Sequence, residues 1–423
     1  MKRTLIECAA DVAEYPCGFD RRRRMFGPQK RGWWSEKRLL VLGALVVAAI
    51  FLLGRRGETT FKKYLGREKR SDVAFSRPVK LKENRGSRDT LVLYAYFEKD
   101  DIQRDNLDFF LSVGVGLDSV SGVDKTFDYA LAVSGEKCAP CRRLRSLQMG
   151  KVHAQVSGVS AIYRADNIWL VRREVNEGMD FASYNATISM MQAQGQLWHH
   201  KFFMFLNSSV RGPFFPNYLP KGFHWLQAFT QRLAGDVKIV GCSLVCLPGN
   251  DAGGFGPKIE SWAFAVDREG LSVALAAGVF ERRICKLCEG SEGVVVGSEY
   301  GLSKAIINAG FNMGTLLSRY PKDIDWRDPK NWNCNDNVHP SRHGTYDGIS
   351  MHPYETLFVK TSWHVGDPFV KKYTSWRINQ AAGKSNTEGA MDEQMYLYAI
   401  GNEAILEKPE VQRAYDVLSR IQS

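Results

Sequence analysis

The chain has 423 residues, 44% of them apolar, which leaves room for a large folded core, and a formal charge of +11. Residues 1–90 hold 22 Lys and Arg against 10 Asp and Glu, and the remaining 333 hold 35 against 36. The basic character is confined to the N-terminal segment, which excludes a basic domain face for nucleic acid.

Residues 1–38 form a basic tail with RRRR at 21–24, and residues 39–54 contain LLVLGALVVAAIFLL, an uncharged run bracketed by Lys37-Arg38 and Arg55-Arg56. As a helix its fifteen residues span about 22 Å. That is short for a bilayer unless Trp33, Trp34 and Gly54 extend it, and it suits a thin early secretory membrane. No small-x-small cleavage site follows, so one uncleaved transmembrane helix is expected. The 18 residues on its two sides carry eight and seven basic side chains, a balance that leaves orientation open. Residues 55–89 are charged and aperiodic, as in a stem.

From residue 90 the pattern alternates. LVLYAYF (91–97) predicts a strand, 105–117 a helix, FDYALAVS (127–134) and NIWLVRR (167–173) strands, and 181–195 a helix. KFFMFL (201–206) and 236–247 predict further strands, and 268–280 and 298–310 helices. This spacing predicts an α/β fold, an open and mostly parallel sheet with helices on both faces, whose ligands bind at the carboxyl ends of strands. Three strands end in polar loops: Glu98-Lys99-Asp100-Asp101, then Asn176-Glu177-Gly178-Met179-Asp180, then Asn207-Ser208-Ser209-Val210-Arg211-Gly212. Residues 321–350, rich in Asn, Asp, Gly and Pro, predict a long loop, and 381–423 a tail with two short helices.

Strand, Asn-x-Gly-x-Asp, helix, then an apolar strand ending in a polar triplet resembles the nucleotide-sugar half of a GT-A glycosyltransferase. NLDFFLSVGV, LNSSVRGPFFP, IESWAFAVDREGL, SEYGLSKAIINAGFNMGTLL and MHPYETLFVKT are similar, in order, to segments of glycosyltransferases related to the rhamnan-synthesis F type. The resemblance covers roughly residues 90–365 and implies a GT-A-like domain over 90–380. It implies a nucleotide-sugar donor held by Asn176, Gly178, Asp180, Asn207, Ser208, Ser209, Arg211 and Gly212, and a glycan acceptor. Glu299, at the start of a helix after the glycine-containing VVVGS, is the expected base, with Glu355 in reserve. His352 matches a C-terminal His that contacts the cation or phosphates.

Sugar transfer leaves negative charge on the departing diphosphate, which a divalent cation or basic side chains must neutralise. Asn207 and Ser209 stand where Asp-x-Asp enzymes carry carboxylates, and uncharged oxygens bind Mn²⁺ or Mg²⁺ weakly. Metal dependence is therefore left in doubt, with Arg211 as a fixed positive charge and Gly212 allowing close backbone approach. Blander readings stand beside these: an ordinary turn at 207–212, a helix-terminal acid at Glu299, core packing for Trp225 and Trp262. Nine cysteines include Cys138-x-x-Cys141 and Cys285-x-x-Cys288, and a lumenal location predicts disulfides whose pairing the spacing does not give. The expectation is a single-pass type II Golgi membrane glycosyltransferase. The alternative is a non-catalytic glycan-binding or scaffold protein of the same fold.

Overall fold

The computed structural model describes residues 88–384, apart from 221, 282 and 289–292. The expected anchor, nearly all of the stem and the two C-terminal helices lie outside the described residues. Among the described residues no helix is long and apolar enough to cross a membrane.

Strand β1 (Thr90–Phe97) leads to helix α1 (Asp101–Phe109), which runs on into a π turn, Phe110–Gly114. Then come β2 (Asp128–Ser134), β3 (Gly150–Val152), β4 (Ala161–Ala165), β5 (Ile168–Arg173), helix α2 (Met179–Ala193) and β6 (Phe202–Asn207). The short helix α3 (Gln227–Thr230) precedes β7 (Val237–Gly241), β8 (Leu244–Leu247), β9 (Gly256–Ile259) and β10 (Ala263–Asp267). Helices α4 (Arg268–Ala276) and α5 (Tyr300–Asn308), strand β11 (Asn312–Thr315), and helices α6 (Pro353–Thr356) and α7 (Asp367–Ala381) follow.

Nine strands make one sheet in the order β11-β7-β10-β6-β1-β2-β5-β4-β3, and β8 pairs separately with β9. β1, β2, β5, β6, β7 and β11 share one direction, whereas β10 and β4 oppose their neighbours. The sheet is therefore mixed and mostly parallel. Strand β1 shows why it sits in the middle. Leu91, Leu93 and Ala95 enter one core with Phe181, Tyr184 and Ile188 of α2 and Leu302 of α5. Val92, Tyr94 and Tyr96 enter another with Leu107 of α1, Phe110 and Trp225. A strand buried on both faces reads as an unbroken apolar run, and each large side chain so buried contributes about 1.5–3 kcal/mol. With both faces covered, polar chemistry falls to the ends of the strands.

The fold departs from the sequence-based expectation in three places that matter for the site. The run 236–247 is two strands, because the chain bends at Gly241, where a Cβ would lie 2.5 Å from Ile259 and 2.9 Å from the Ser243 carbonyl. LFVKT (357–361), an apolar run that reads as a strand in the sequence, is not one: Leu357 has φ 64, and one bridge joins Val359 to Arg211. Strand β10, not foreseen as an element, slots antiparallel between β6 and β7 and pairs Ala263 with Leu206. It thereby carries Glu260 and Ser261 to the edge where β6 ends.

Candidate active site

The Asn207–Gly212 elbow leaves β6 beside the end of β1. The Asn207 amide donates to the Asp180 carboxylate at 2.7 Å, and its oxygen accepts from Ser209 N at 3.1 Å and Ser209 Oγ at 2.5 Å. Ser208, 7% exposed, turns its hydroxyl to the Phe97 carbonyl at 3.4 Å. The elbow is pinned to a segment far along the chain. Arg211 N and Val359 N each donate to the other's carbonyl at 3.0 Å, and Ser362 N donates to the Ser209 carbonyl at 3.2 Å. Asn106 of α1 joins both, donating to the Ser208 carbonyl at 2.9 Å and to Thr361 Oγ1 at 2.8 Å. This pairing sets Lys360 beside the elbow.

Asp180 lies in the first turn of α2, placed by the turn before it. Arg173 donates to the Glu177 carbonyl at 2.7 Å, and Gly178 takes φ 72, where glycine alone is unstrained. A helix N-terminus favours a carboxylate. Here burial wins, and together with the charge of Glu299 it pushes the Asp180 pKa up to about 6. Glu299 ends a π turn, Val294–Glu299, and precedes α5 without a side-chain capping bond. Burial pushes its pKa up too, opposed by Lys360, a hydrogen bond from Ser261 and Lys286. The Lys360 ammonium sits 3.5 Å from the ring centre of Trp363. Burial lowers its pKa, while Glu260, Glu299 and Asp180 pull it back up.

A second buried carboxylate network adjoins. Glu260 accepts from Ser243 Oγ and Ser341 Oγ, both at 2.5 Å, and meets His339 Nδ1 at 2.9 Å. Burial alone would raise its pKa, yet His339 and then Lys360 and Ser243 hold it below the ordinary range. Two carboxyls raised towards neutrality, one ionised carboxylate and one ammonium thus share this edge of the sheet. Asp180, at about 6, can exchange its proton near neutral pH.

The structure brings together Asp180, Asn207, Ser208, Ser209 and Glu299, with Asn176 and Gly178 in the turn before α2; the Asn176 carbonyl accepts from Met179 N at 3.2 Å. Other candidates serve the scaffold. Arg211 turns its Nε to Asn106 Oδ1 at 2.9 Å and an Nη to Thr374 at 3.5 Å. The space beside Gly212 is filled by the chain itself, since a Cβ would lie 2.4 Å from Phe358 and 2.5 Å from the Leu357 carbonyl. Glu355 accepts from Ser318 N at 2.7 Å and from the Tyr346 hydroxyl at 3.1 Å. His352 caps α6, accepting from Tyr354 N at 3.1 Å, and packs against Phe369, Tyr373 and Tyr354; it is not brought to the acidic cluster. Asp100 caps α1, and Trp225 and Trp262 are core residues, each 2% exposed. Glu260 had no sequence signal beyond one acid among apolar residues, and Lys360 none beyond one basic residue closing the run LFV, which alone does not choose between ligand and water.

A hard divalent cation needs several charged or free oxygens. The Asn207 oxygen already accepts twice from Ser209, and among the described residues no group of three His, Cys, Asp or Glu could hold a metal ion. The described residues at this edge do not fit a resident Mn²⁺ or Mg²⁺.

The chain matches no protein-family model and no curated protein. Among solved structures it is similar to the mannosyltransferase PcManGT from Pyrobaculum calidifontis, in complex with GDP-Man and Mn²⁺. The identity is 11% and the TM-score 0.31, over 90% of this chain and 96% of that one. A likeness of that size carries no argument about activity, so the functional reading rests on the site.

Proposed function

We propose that the chain is a GT-A-like glycosyltransferase that moves a sugar from a nucleoside diphosphate to a hydroxyl of a glycan. The observation that carries this reading is the meeting of Asp180, Glu299 and Lys360 at the carboxyl ends of the parallel strands. Glu299, a carboxylate made more basic by burial, takes the proton of the acceptor hydroxyl. The hydroxyl oxygen then bonds to the anomeric carbon as the bond from that carbon to the phosphate oxygen breaks, and the electron pair leaves with the nucleoside diphosphate. Lys360 supplies the positive charge the leaving group needs, in place of a cation. Asp180 and the Asn207–Ser209 elbow hold the donor by hydrogen bonds. Three disulfides among the described residues, Cys138–Cys141, Cys246–Cys334 and Cys285–Cys288, support an oxidising compartment and so a Golgi lumenal domain behind a type II anchor.

A second reading, a non-catalytic glycan-binding protein, is favoured by one observation: Asn207 and Ser209 satisfy one another instead of presenting free oxygens. The test is the full chain melted with UDP-, GDP- and dTDP-sugars, with and without EDTA, alongside Glu299→Gln. One nucleotide class should raise the melting temperature regardless of EDTA. Glu299→Gln should keep that shift and lose about 100-fold or more in sugar release. If no donor shifts the folded chain, or if the variant turns over like the parent, the transferase reading fails.

A further inference from the structure

A cavity of about 560 Å³ lies where the chain enters β2, against the π turn after α1 and the last turns of α7. β2 begins at the sheet edge opposite to the one where β6 ends in Asn207, so this cavity is not part of the acidic site. Arg377 lines it and is 9% exposed, with its guanidinium 3.8 Å from the ring centre of Phe215. One Nη donates to the Gln380 side-chain oxygen, while Nε is buried without a hydrogen-bond partner. Burial lowers its pKa to about 10, and Tyr354 opposes this. Trp225, another lining residue, also has its Nε1 buried without a partner.

A buried guanidinium without a counter-charge is costly to a fold unless something supplies the charge. Nothing on this wall does. Asp124 is taken up by His224 at 3.2 Å and by the Tyr129 hydroxyl at 2.8 Å; burial would raise its pKa, but His224 and the Thr126 hydrogen bonds outweigh that and hold it near 2. We propose that this cavity is a second ligand site, for a monoanionic, sugar-sized molecule whose carboxylate is held by Arg377 and whose ring lies among Phe215, Phe223 and Trp225. Lys125 on the same wall is paired with Asp166 at 3.5 Å, which leaves Arg377 as the cation to match one carboxylate, and the planar guanidinium suits its two oxygens. The volume fits one or two rings, and aromatic walls suit a ring with one apolar face. The proposal does not depend on the transfer reaction.

The experiment is calorimetric titration of the full chain with glucuronate, with glucose as the neutral counterpart. Glucuronate should bind saturably and glucose should not. Arg377→Met should weaken glucuronate binding by about tenfold or more. Because loss of Arg377 could disturb α7, Ser121→Trp provides a second arm: Ser121 is an exposed wall residue, so the bulk closes the cavity without touching the core. It should abolish binding with the melting temperature unchanged. The proposal is overturned if glucuronate does not saturate the parent, if glucose binds as well, or if a folded variant binds like the parent.

Discussion

Asp180 is held above the ordinary range of an aspartate although it sits where a helix end favours its charge, which makes it a reporter of the site. With a folded pKa of about 6 against 3.8, the folded chain keeps a proton that the unfolded chain has lost between about pH 4 and 6. Stability therefore falls as pH rises through that window, by about 2–3 kcal/mol from this group. Asp180→Asn removes the charge and can still accept from the Asn207 amide. Its melting temperature should exceed that of the parent at pH 7, with the gap closing near pH 4. A gap of equal size at both values would show that burial of the charge is not the cause.

The elbow tests a glycine at the scale of an element. Gly212→Ala pushes a Cβ against the Leu357 carbonyl and the Phe358 ring, and the backbone oxygen cannot swing aside. Urea unfolding should show a loss of about 1–3 kcal/mol. Gly249→Ala, where nothing lies within 4 Å, should change stability by less than about 0.5 kcal/mol. The elbow also marks what the sequence could tell. Asp180, Asn207 and Ser209 were legible because apolar runs visibly stop before them, and Glu299 because it opens a helix after a glycine-containing loop and matches a family segment. Glu260 and Lys360 were not legible. Glu260 owes its place to a reversed strand inserted between two others, and Lys360 to one bridge between Arg211 and Val359. Such non-local pairings leave no local pattern of apolar and polar residues.

Across the whole molecule, the disulfides differ in reach. Cys246–Cys334 closes a loop of sequence separation 88, whereas Cys138–Cys141 and Cys285–Cys288 each have separation 3. Replacing Cys246 and Cys334 together by Ser should cost about 4.5 kcal/mol and replacing Cys138 and Cys141 about 1.5 kcal/mol, measured by denaturant unfolding without reductant. Equal losses would point to contacts at each bridge and not to loop closure. Thr361 donates to the Ser209 carbonyl across 152 positions, and this has a consequence for how the protein is made. A ribosome adding about 5–20 residues per second needs roughly 8–30 s to progress from the elbow to the residues that brace it. During that interval β6 can already pair with β1, and the turn beyond it can reach Asp180, Phe97 and Asn106, but it lacks its braces from residues 359–362. A nascent chain stopped before residue 357 would carry the sheet's central strands and no finished site.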